Sequence, residues 1–320
     1  MLIIKRPQTD PYFNIAAEEY FLRNFKEDIF MLWQNEPSII IGKHQNTLAE
    51  VNLNYINEHQ IPVVRRITGG GTVFHDLGNI NFTFIKNIIG EDLVDFKRFT
   101  YPIIEVLKSL GIPAKHEGKN DIRINGLKCS GNAEHVFRNR VLHHGTLLFS
   151  SDLSSLGETL KSKEDKYTSK AVKSNRSDVT NISDHLKQPL RIDQFIELVN
   201  QYLIVHYPDT QIYKLTEQDL LSIETLVTKK YKTWEWNFGY SPSYQYKNEI
   251  NNLGCTLEVK NGIIIDASII NLKTMVNFES LEKEIIGIKH QKKELIEFLL
   301  SKYHLDNVTV TELLELLFVL

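Results

Sequence analysis

Three consecutive glycines, Gly69, Gly70 and Gly71, stand between two β-rich runs, VVRR at 63–66 and INFTFIK at 80–86, and they limit what the chain can build around them. With no Cβ, such a loop leaves its backbone amides bare and lets a ligand come closer than any side chain would permit. Arg65 and Arg66 come just before it. Bare amides beside two guanidinium groups suit a phosphate or a carboxylate, although a glycine run also serves as a tight connection with no ligand at all. The common nucleotide loops are missing: GxGxxG is not completed here and GxxxxGK[ST] occurs nowhere in the chain, so neither a dinucleotide fingerprint nor a P-loop is expected.

Around this loop, strands and helices interleave. Asp10 followed by Pro11 reads as an N-cap and first-turn proline, and Phe13, Ala17, Tyr20, Phe21 and Asn24 recur at helical spacing, which predicts a helix to about Phe25. IFMLW (29–33) and SIIIG (38–42), divided by the turn-prone NEPS, read as strands. Residues 52–60 read as a short helix ended by Pro62, and FKRFTYPIIEVLKSL as a helix stopped at Gly111. From 122 to 148 the rhythm becomes that of paired strands, with Asn125-Gly126 the strongest short hairpin signal. Residues 161–182 carry six Lys or Arg against three Asp or Glu without periodicity and read as a mobile basic loop. Helices are expected at about 193–205 and 216–231, after which KTWEWNFGYSPSY looks like the end of a domain. A second hairpin signal, Asn261-Gly262, then opens a small C-terminal domain that finishes in helical patterns.

Composition narrows the functional classes. At 320 residues, 42% hydrophobic and 24% charged, the chain suits one large globular domain plus a small one. Lys and Arg total 37 against 40 Asp and Glu, and a net charge of −3 offers no basic footprint, so nucleic acid is not an expected partner. Cys129 and Cys255 are far apart and form no metal-spaced pair, which favours a reducing compartment, the cytoplasm. The N-terminus carries no recognisable export signal. Glu312 and Glu315 interrupt the apolar TELLELLFVL at helical spacing, so an amphipathic helix is expected there and no membrane partner.

RRITGGGTVFHD (65–76) resembles the lipoate-binding signature of the lipoate-protein ligase A family. The same pattern continues in GKNDIRINGLKCSGNA (118–133), in HHGTLLFSSDLSSL (143–156), in the basic segment ending SDVTNI, and in WEWNFG (234–239). Five strings in the expected order span nearly the whole chain. The resemblance implies an α+β fold: a catalytic domain at 1–246, similar to biotin ligases and class II aminoacyl-tRNA synthetases, with mixed β-sheets flanked by helices, and a small α/β accessory domain at 247–320. It implies ATP-dependent activation of lipoate or octanoate, with Mg2+, to the acyl-adenylate. The acyl group then passes to a lysine of apo lipoyl-domain proteins, the E2 subunits of 2-oxoacid dehydrogenases or the glycine cleavage H protein.

By the same resemblance, Arg66, Gly71, Thr72, Val73 and Phe74 match positions that contact ATP or the lipoyl-adenylate, and Gly69, Gly70 and His75 belong to the same loop. Lys128 matches the family's essential catalytic lysine. Asn120 and Asp121 match the pair beside the nucleotide, with Asp121 a candidate magnesium ligand, while Ala133 and His144 match positions lining the pocket. The segment from about Lys163 to Thr180 resembles the one that orders over the adenine. Physical chemistry agrees with these assignments. Joining a carboxylate to an amine in water requires prior activation, so two anions must meet at the α-phosphate under concentrated positive charge. A lysine just past the Asn125-Gly126 turn can reach both as a point charge, and the strand residues at 80–84 and 147–149 can supply an apolar slot for the lipoyl chain.

Other readings compete. A lone strand lysine is ordinarily a solvated surface residue. His143 and His144 are adjacent on a strand and face opposite sides, so they cannot easily share one metal ion. Cys129 invites a thioester mechanism, but strand alternation points it away from Lys128 and it has no obvious base, which makes an inert small residue the better reading. Trp234 and Trp236 are expected to pack at the domain end. The principal alternative function is an ATP-independent lipoyl or octanoyl transferase between carrier proteins, and the long basic loop and extra C-terminal domain speak against it. A biotin ligase would need a GRGRxG-type string, which is missing, and a non-catalytic ligand-binding protein would have no need of an intact Arg66, Asp121 and Lys128.

Overall fold

In the computed structural model, which describes residues 1–88, 94–159, 164–175, 177–274, 276–303 and 307–318, Asp10 caps a helix at Pro11–Asn24 by accepting from the amides of Tyr12 and Phe13. Its side chain satisfies donors that the first turn cannot, and Pro11 occupies a position whose amide would be unpaired in any case. Ile29–Trp33 and Ser38–Ile41 follow as strands, both buried along their whole length. Gly111, at φ +78, ends the Phe96–Ser109 helix as a glycine C-cap does. Both Asn-Gly pairs turn as their chemistry demands, with Asn125 and Gly126 at φ 51 and 84 and Asn261 and Gly262 at φ 51 and 72. Positive φ at both central residues is the hairpin turn that asparagine and glycine tolerate.

Two units result, each assembled from three segments. The first comprises Met1–Lys43, Ile61–Gly157 and Ser174–Lys232. Among the described residues its main sheet has eight strands, in the order Gln211–Tyr213, Leu2–Lys5, Ile29–Trp33, Asn79–Asn87, Arg140–Leu148, Leu127–Phe137, Asp121–Ile124 and Ala114–Glu117. The first three run parallel and the remaining pairings are antiparallel. A second, three-stranded sheet pairs Ser38–Ile41 with Val63–Arg65 in parallel and with Val73–His75 antiparallel, so the glycine loop joins the two outer strands of one small sheet. The core of this unit packs Phe99, Ile103 and Leu107 of one helix and Phe195, Val199 and Leu203 of another with the strand residues Ile80, Phe82 and Phe84. This is the mixed-sheet α+β architecture expected from the sequence.

The second unit comprises His44–Gln60, Glu158–Lys173 and Thr233–Leu320. Its boundary at Lys232/Thr233 falls within the aromatic KTWEW string. Its described strands, Tyr167–Ser169, Tyr244–Ile250, Leu253–Lys260, Ile263–Asn271 and Val276–Asn277, form one antiparallel sheet. Residue 247, where the sequence suggested that a separate domain begins, lies inside the second of these strands, which pairs with Tyr167–Ser169 on one side and Leu253–Lys260 on the other. The expected basic loop therefore contains a strand three residues long, too short to show a period; residues 160–163 and 176 of that region lie outside the described residues. The final helix, Asn307–Leu317, buries Leu313, Leu316 and Leu317 and exposes Glu312 and Glu315, as an amphipathic helix does. Among the described residues no helix is long and apolar enough to cross a membrane.

Candidate active site at the glycine loop and Lys128

Arg66 organises the loop that follows it. Nε donates to Thr68 Oγ1 at 2.9 Å, Nη1 to the Ile40 carbonyl at 3.0 Å, and Nη2 to the carbonyls of Gly69 and Gly71, both at 2.7 Å. Burial draws its pKa down to about 10, and the nearby charge of Glu18 opposes that shift, so the guanidinium stays charged at neutral pH. Arg65 is bound inward as well, to the carbonyls of Gly42 and Lys43. The two arginines thus shape the loop from behind through its carbonyls. Gly70 sits at φ +91, where a methyl group would also meet Arg66 Nη2 at 3.0 Å and Ala133 Cβ at 3.9 Å. Thr72 donates its amide to Ser174 Oγ at 2.9 Å.

From Thr68 a buried polar chain runs into the sheet. Thr68 Oγ1 lies 2.8 Å from His144 Nε2, and His144 Nδ1 lies 3.0 Å from both carboxylate oxygens of Glu18. Since Thr68 already accepts from Arg66, its own hydrogen is free for His144 Nε2, which leaves Nδ1–H to donate to Glu18. Glu18 Oε1 also accepts from Thr83, which in turn accepts from the Trp33 indole. Glu18 is missing from the sequence-derived site. The sequence offered no signal for it beyond its place on the first helix: Asn14 and Glu18, four residues apart, are polar and yet buried at 0% and 1% exposure, and a buried carboxylate needs partners. His143, on the opposite face of the strand, stacks on Phe99 in the core, and among the described residues no His, Cys, Asp or Glu cluster could hold a metal ion.

Lys128 stands at the start of Leu127–Phe137, just past the Asn125-Gly126 turn. Its Nζ meets Asp121 Oδ1 at 2.8 Å, and Asp121 Oδ2 receives Arg123 Nη2 at 2.9 Å. The lysine side chain is 25% exposed, so the ammonium is held in place and still open to solvent. Its backbone is bracketed by the basic segment, with its amide donating to the Asp178 carbonyl and its carbonyl accepting from Thr180. Gly131 leaves room for the stem, because a methyl group there would come within 3.0 Å of both Cε and Nζ. Asn120 and Asn132 interlock alongside: the Asn132 amide and side chain both donate to the Asn120 carbonyl, at 3.0 and 2.9 Å, and Asn120 Nδ2 donates back to the Asn132 carbonyl.

The remaining sequence-derived residues divide between two settings. Gly69, Gly70, Gly71, Thr72, Arg66, Ala133 and His144 gather at the loop, and Lys128, Asp121 and Asn120 gather on the hairpin whose second strand carries Ala133. Val73 and Phe74 lie in the strand that leaves the loop, opposite Ile40 and Ile39. His75, the next residue, turns into the interior toward Asn35 and Asn81. Its Nε2 has no partner among the described residues, and burial together with the charges of Arg66 and His144 pushes its pKa to about 3, which keeps it neutral. Cys129 is fully buried, its Sγ donates to the Ile122 carbonyl at 3.4 Å, and burial raises its thiol to about 12, which leaves it unreactive.

Solved structures define the class first. The chain is similar to a crystal structure of lipoate-protein ligase A bound with ATP, at 26% identity and a TM-score of 0.64 over 75% of this chain and 98% of that one. It is also similar to the structure of an archaeal lipoylation system from Thermoplasma acidophilum, a bi-partite lipoate protein ligase and its E2 lipoyl domain, at 25% identity and a TM-score of 0.65 over 78% of this chain and 98% of that one. Residues 10–204 match the family described as the lipoyl protein ligase A/B catalytic domain. The chain is 42% identical to lipoate–protein ligase 1 of Staphylococcus aureus across 93% of its own length and 92% of that protein. The chain belongs to the lipoate-protein ligase family.

Proposed function

We propose that this chain activates lipoate with ATP as lipoyl-AMP and passes the lipoyl group to a lysine of apo lipoyl-domain proteins. The observation that carries the reading is Lys128, an ion-paired but accessible ammonium at the start of the strand whose Ala133 faces Gly70 of the glycine loop. In the first half-reaction the lipoate carboxylate attacks the α-phosphate and pyrophosphate leaves. In the second, the acceptor amine attacks the acyl carbonyl and AMP leaves. Both place negative charge near one phosphorus, where a fixed ammonium and preorganised amides stabilise the transition state more than the ground state.

Lys128 is the proposed catalytic residue. Gly69, Gly70 and Gly71 are proposed to offer amides to the phosphates and Thr72 to contact ATP or the adenylate beside them, with Arg66 holding that loop in shape. Val73, Phe74, Ala133, His144 and His75 are proposed to bound the adenylate and lipoyl slot, and Asn120 and Asp121 to flank the nucleotide. Magnesium, when bound, would neutralise the departing pyrophosphate. Asp121 would be the one carboxylate to hold such an ion, with water and phosphate oxygens completing its shell, and it would have to release Lys128 or Arg123, which occupy both of its oxygens. Residues 1–246 are proposed to carry catalysis and 247–320 to be accessory, although Tyr244–Ile250 and two earlier segments pack with the latter. Octanoate as an alternative acid, and E2 subunits and the H protein as acceptors, belong to the same proposal. So does the cytoplasm, where two free thiols stay reduced.

The names of the relatives favour the ligase over the ATP-independent transferase. Isotope exchange between pyrophosphate and ATP tests the choice: exchange that requires lipoate is expected. Acylation of an apo lipoyl domain from another carrier protein, with no exchange at any lipoate concentration, would sink the adenylation reading.

A further inference from the structure

Behind the hairpin that carries Lys128 lies a buried network that the ligation chemistry does not use. Asn132 Nδ2 donates to the Asn120 carbonyl at 2.9 Å and to Ser130 Oγ at 3.2 Å, which orients its amide and turns Oδ1 toward His143 Nε2 at 3.2 Å. An acceptor there requires Nε2 to carry hydrogen. His143 has no exposed side-chain surface and packs against Phe82, Phe96 and Phe99. Burial, reinforced by His144 and His116, holds it neutral, far below the usual histidine range. A neutral imidazole with Nε2–H has a bare lone pair on Nδ1, and 2.8 Å from Nδ1 stands Glu134 Oε1. The other oxygen, Oε2, is buried with no partner among the described residues. An ionised Glu134 would have only the Asp95 backbone amide to compensate its charge and would set two acceptors face to face; a protonated one donates O–H to Nδ1 and completes the chain.

We propose that His143 is a positioning residue for adenylation, holding Asn132 and through it the Asn120 turn beside Lys128, and that the proton on Glu134 sets the tautomer in which it does so. The proposal rests on the reading of Asn120 and Lys128 as the nucleotide site. Around the pair stand Asp95, at the cap of the Phe96–Ser109 helix, His116 on the edge strand and His144 on the same strand. Burial and the charge of Asp95 raise Glu134 to about 7, with the Asp95 backbone amide offsetting part of that rise. The network is therefore poised near neutrality: above it, an ionised Glu134 asks for hydrogen on Nδ1, and Asn132 Oδ1 loses its donor.

Two measurements on the full chain test this. Imidazole 15N spectra of the wild type are expected to show His143 as the Nε2–H tautomer at pH 6, with a transition near pH 7 that is absent in Glu134→Gln, whose side-chain amide donates to Nδ1 at every pH. The ratio of variant to wild-type lipoate-dependent pyrophosphate exchange is expected to rise by about tenfold per pH unit above 7, as loss of a single required proton dictates. An Nδ1–H tautomer at pH 6, or a variant that keeps the wild-type alkaline decline, overturns the proposal. If the wild type exchanges no pyrophosphate, the adenylation reading fails while the tautomer still decides the role of Glu134; if Glu134→Gln does not fold, the wild-type spectra decide it alone.

Discussion

Replacing Lys128 with alanine removes the group on which adenylation should depend most, and the geometry separates its effect on rate from its effect on folding. The ammonium pairs with Asp121 at 2.8 Å, with side chains 25% and 15% exposed, and Asp121 keeps Arg123 at 2.9 Å when the lysine is gone. A partly exposed pair of this kind contributes about 1 kcal/mol or less to stability, and the remaining arginine offsets some of that. Removing one preorganised charge from a transition state costs roughly 3–4 kcal/mol, on the order of a hundred- to a thousandfold in rate. The assay is lipoate-dependent pyrophosphate exchange at saturating ATP and lipoate, run beside thermal denaturation and beside transfer from synthetic lipoyl-adenylate to an apo lipoyl domain. Exchange should fall by that factor with the melting temperature nearly unchanged. Lys128→Arg should not restore it, because Gly131 leaves only about enough space for a slim ammonium stem and a planar guanidinium delivers its charge differently. Adenylation within about tenfold of wild type in a folded Lys128→Ala protein would refute the assignment, since loss of a preorganised donor typically costs on the order of a hundred- to a thousandfold.

Gly145→Ala should destabilise the first unit, because the added methyl would overlap Asn132 Oδ1 and come within 2.5 and 2.6 Å of the Phe82 ring. Overpacking of this kind costs about 1–3 kcal/mol, to be read as a lowered urea midpoint, and an unchanged midpoint would contradict the packing described. Acid should weaken both units. Burial lowers His75 to about 3 and His290 to about 4, so each is neutral when folded and protonates near 6.5 when unfolded. The folded state binds fewer protons, so stability is complete above pH 6.5 and declines as pH falls below it, by about 2 kcal/mol per histidine at pH 5. Urea titrations at pH 7 and pH 5 check this, and glutamine at either position should flatten its share of the slope.

Local chemistry carried much of the fold and part of the site into the sequence. The cap at Asp10, the glycine stop at Gly111 and the Asn125-Gly126 and Asn261-Gly262 turns depend on backbone angles and on bonds within a few residues, and each stands where its residues placed it. Gly69, Gly70, Gly71 and Lys128 were singled out by resemblance to a family's strings and not by residue type, since a glycine run also serves as a plain connection and a strand lysine is ordinarily solvated. What could not be read locally is which faces meet. The sequence by itself determined the turns, the strand and helix segments, the glycine loop between two strands and the lysine beside a turn, because these follow from steric and hydrogen-bonding rules along the chain. Only the tertiary structure decided that Glu18 reaches His144 across 126 residues, that Arg66 spends its hydrogens on its own loop, that three separated segments make the second unit, and that burial raises the Glu134 carboxyl to about 7 behind the site. Those outcomes depend on burial and on partners far apart in sequence, and no spacing along the chain encodes either.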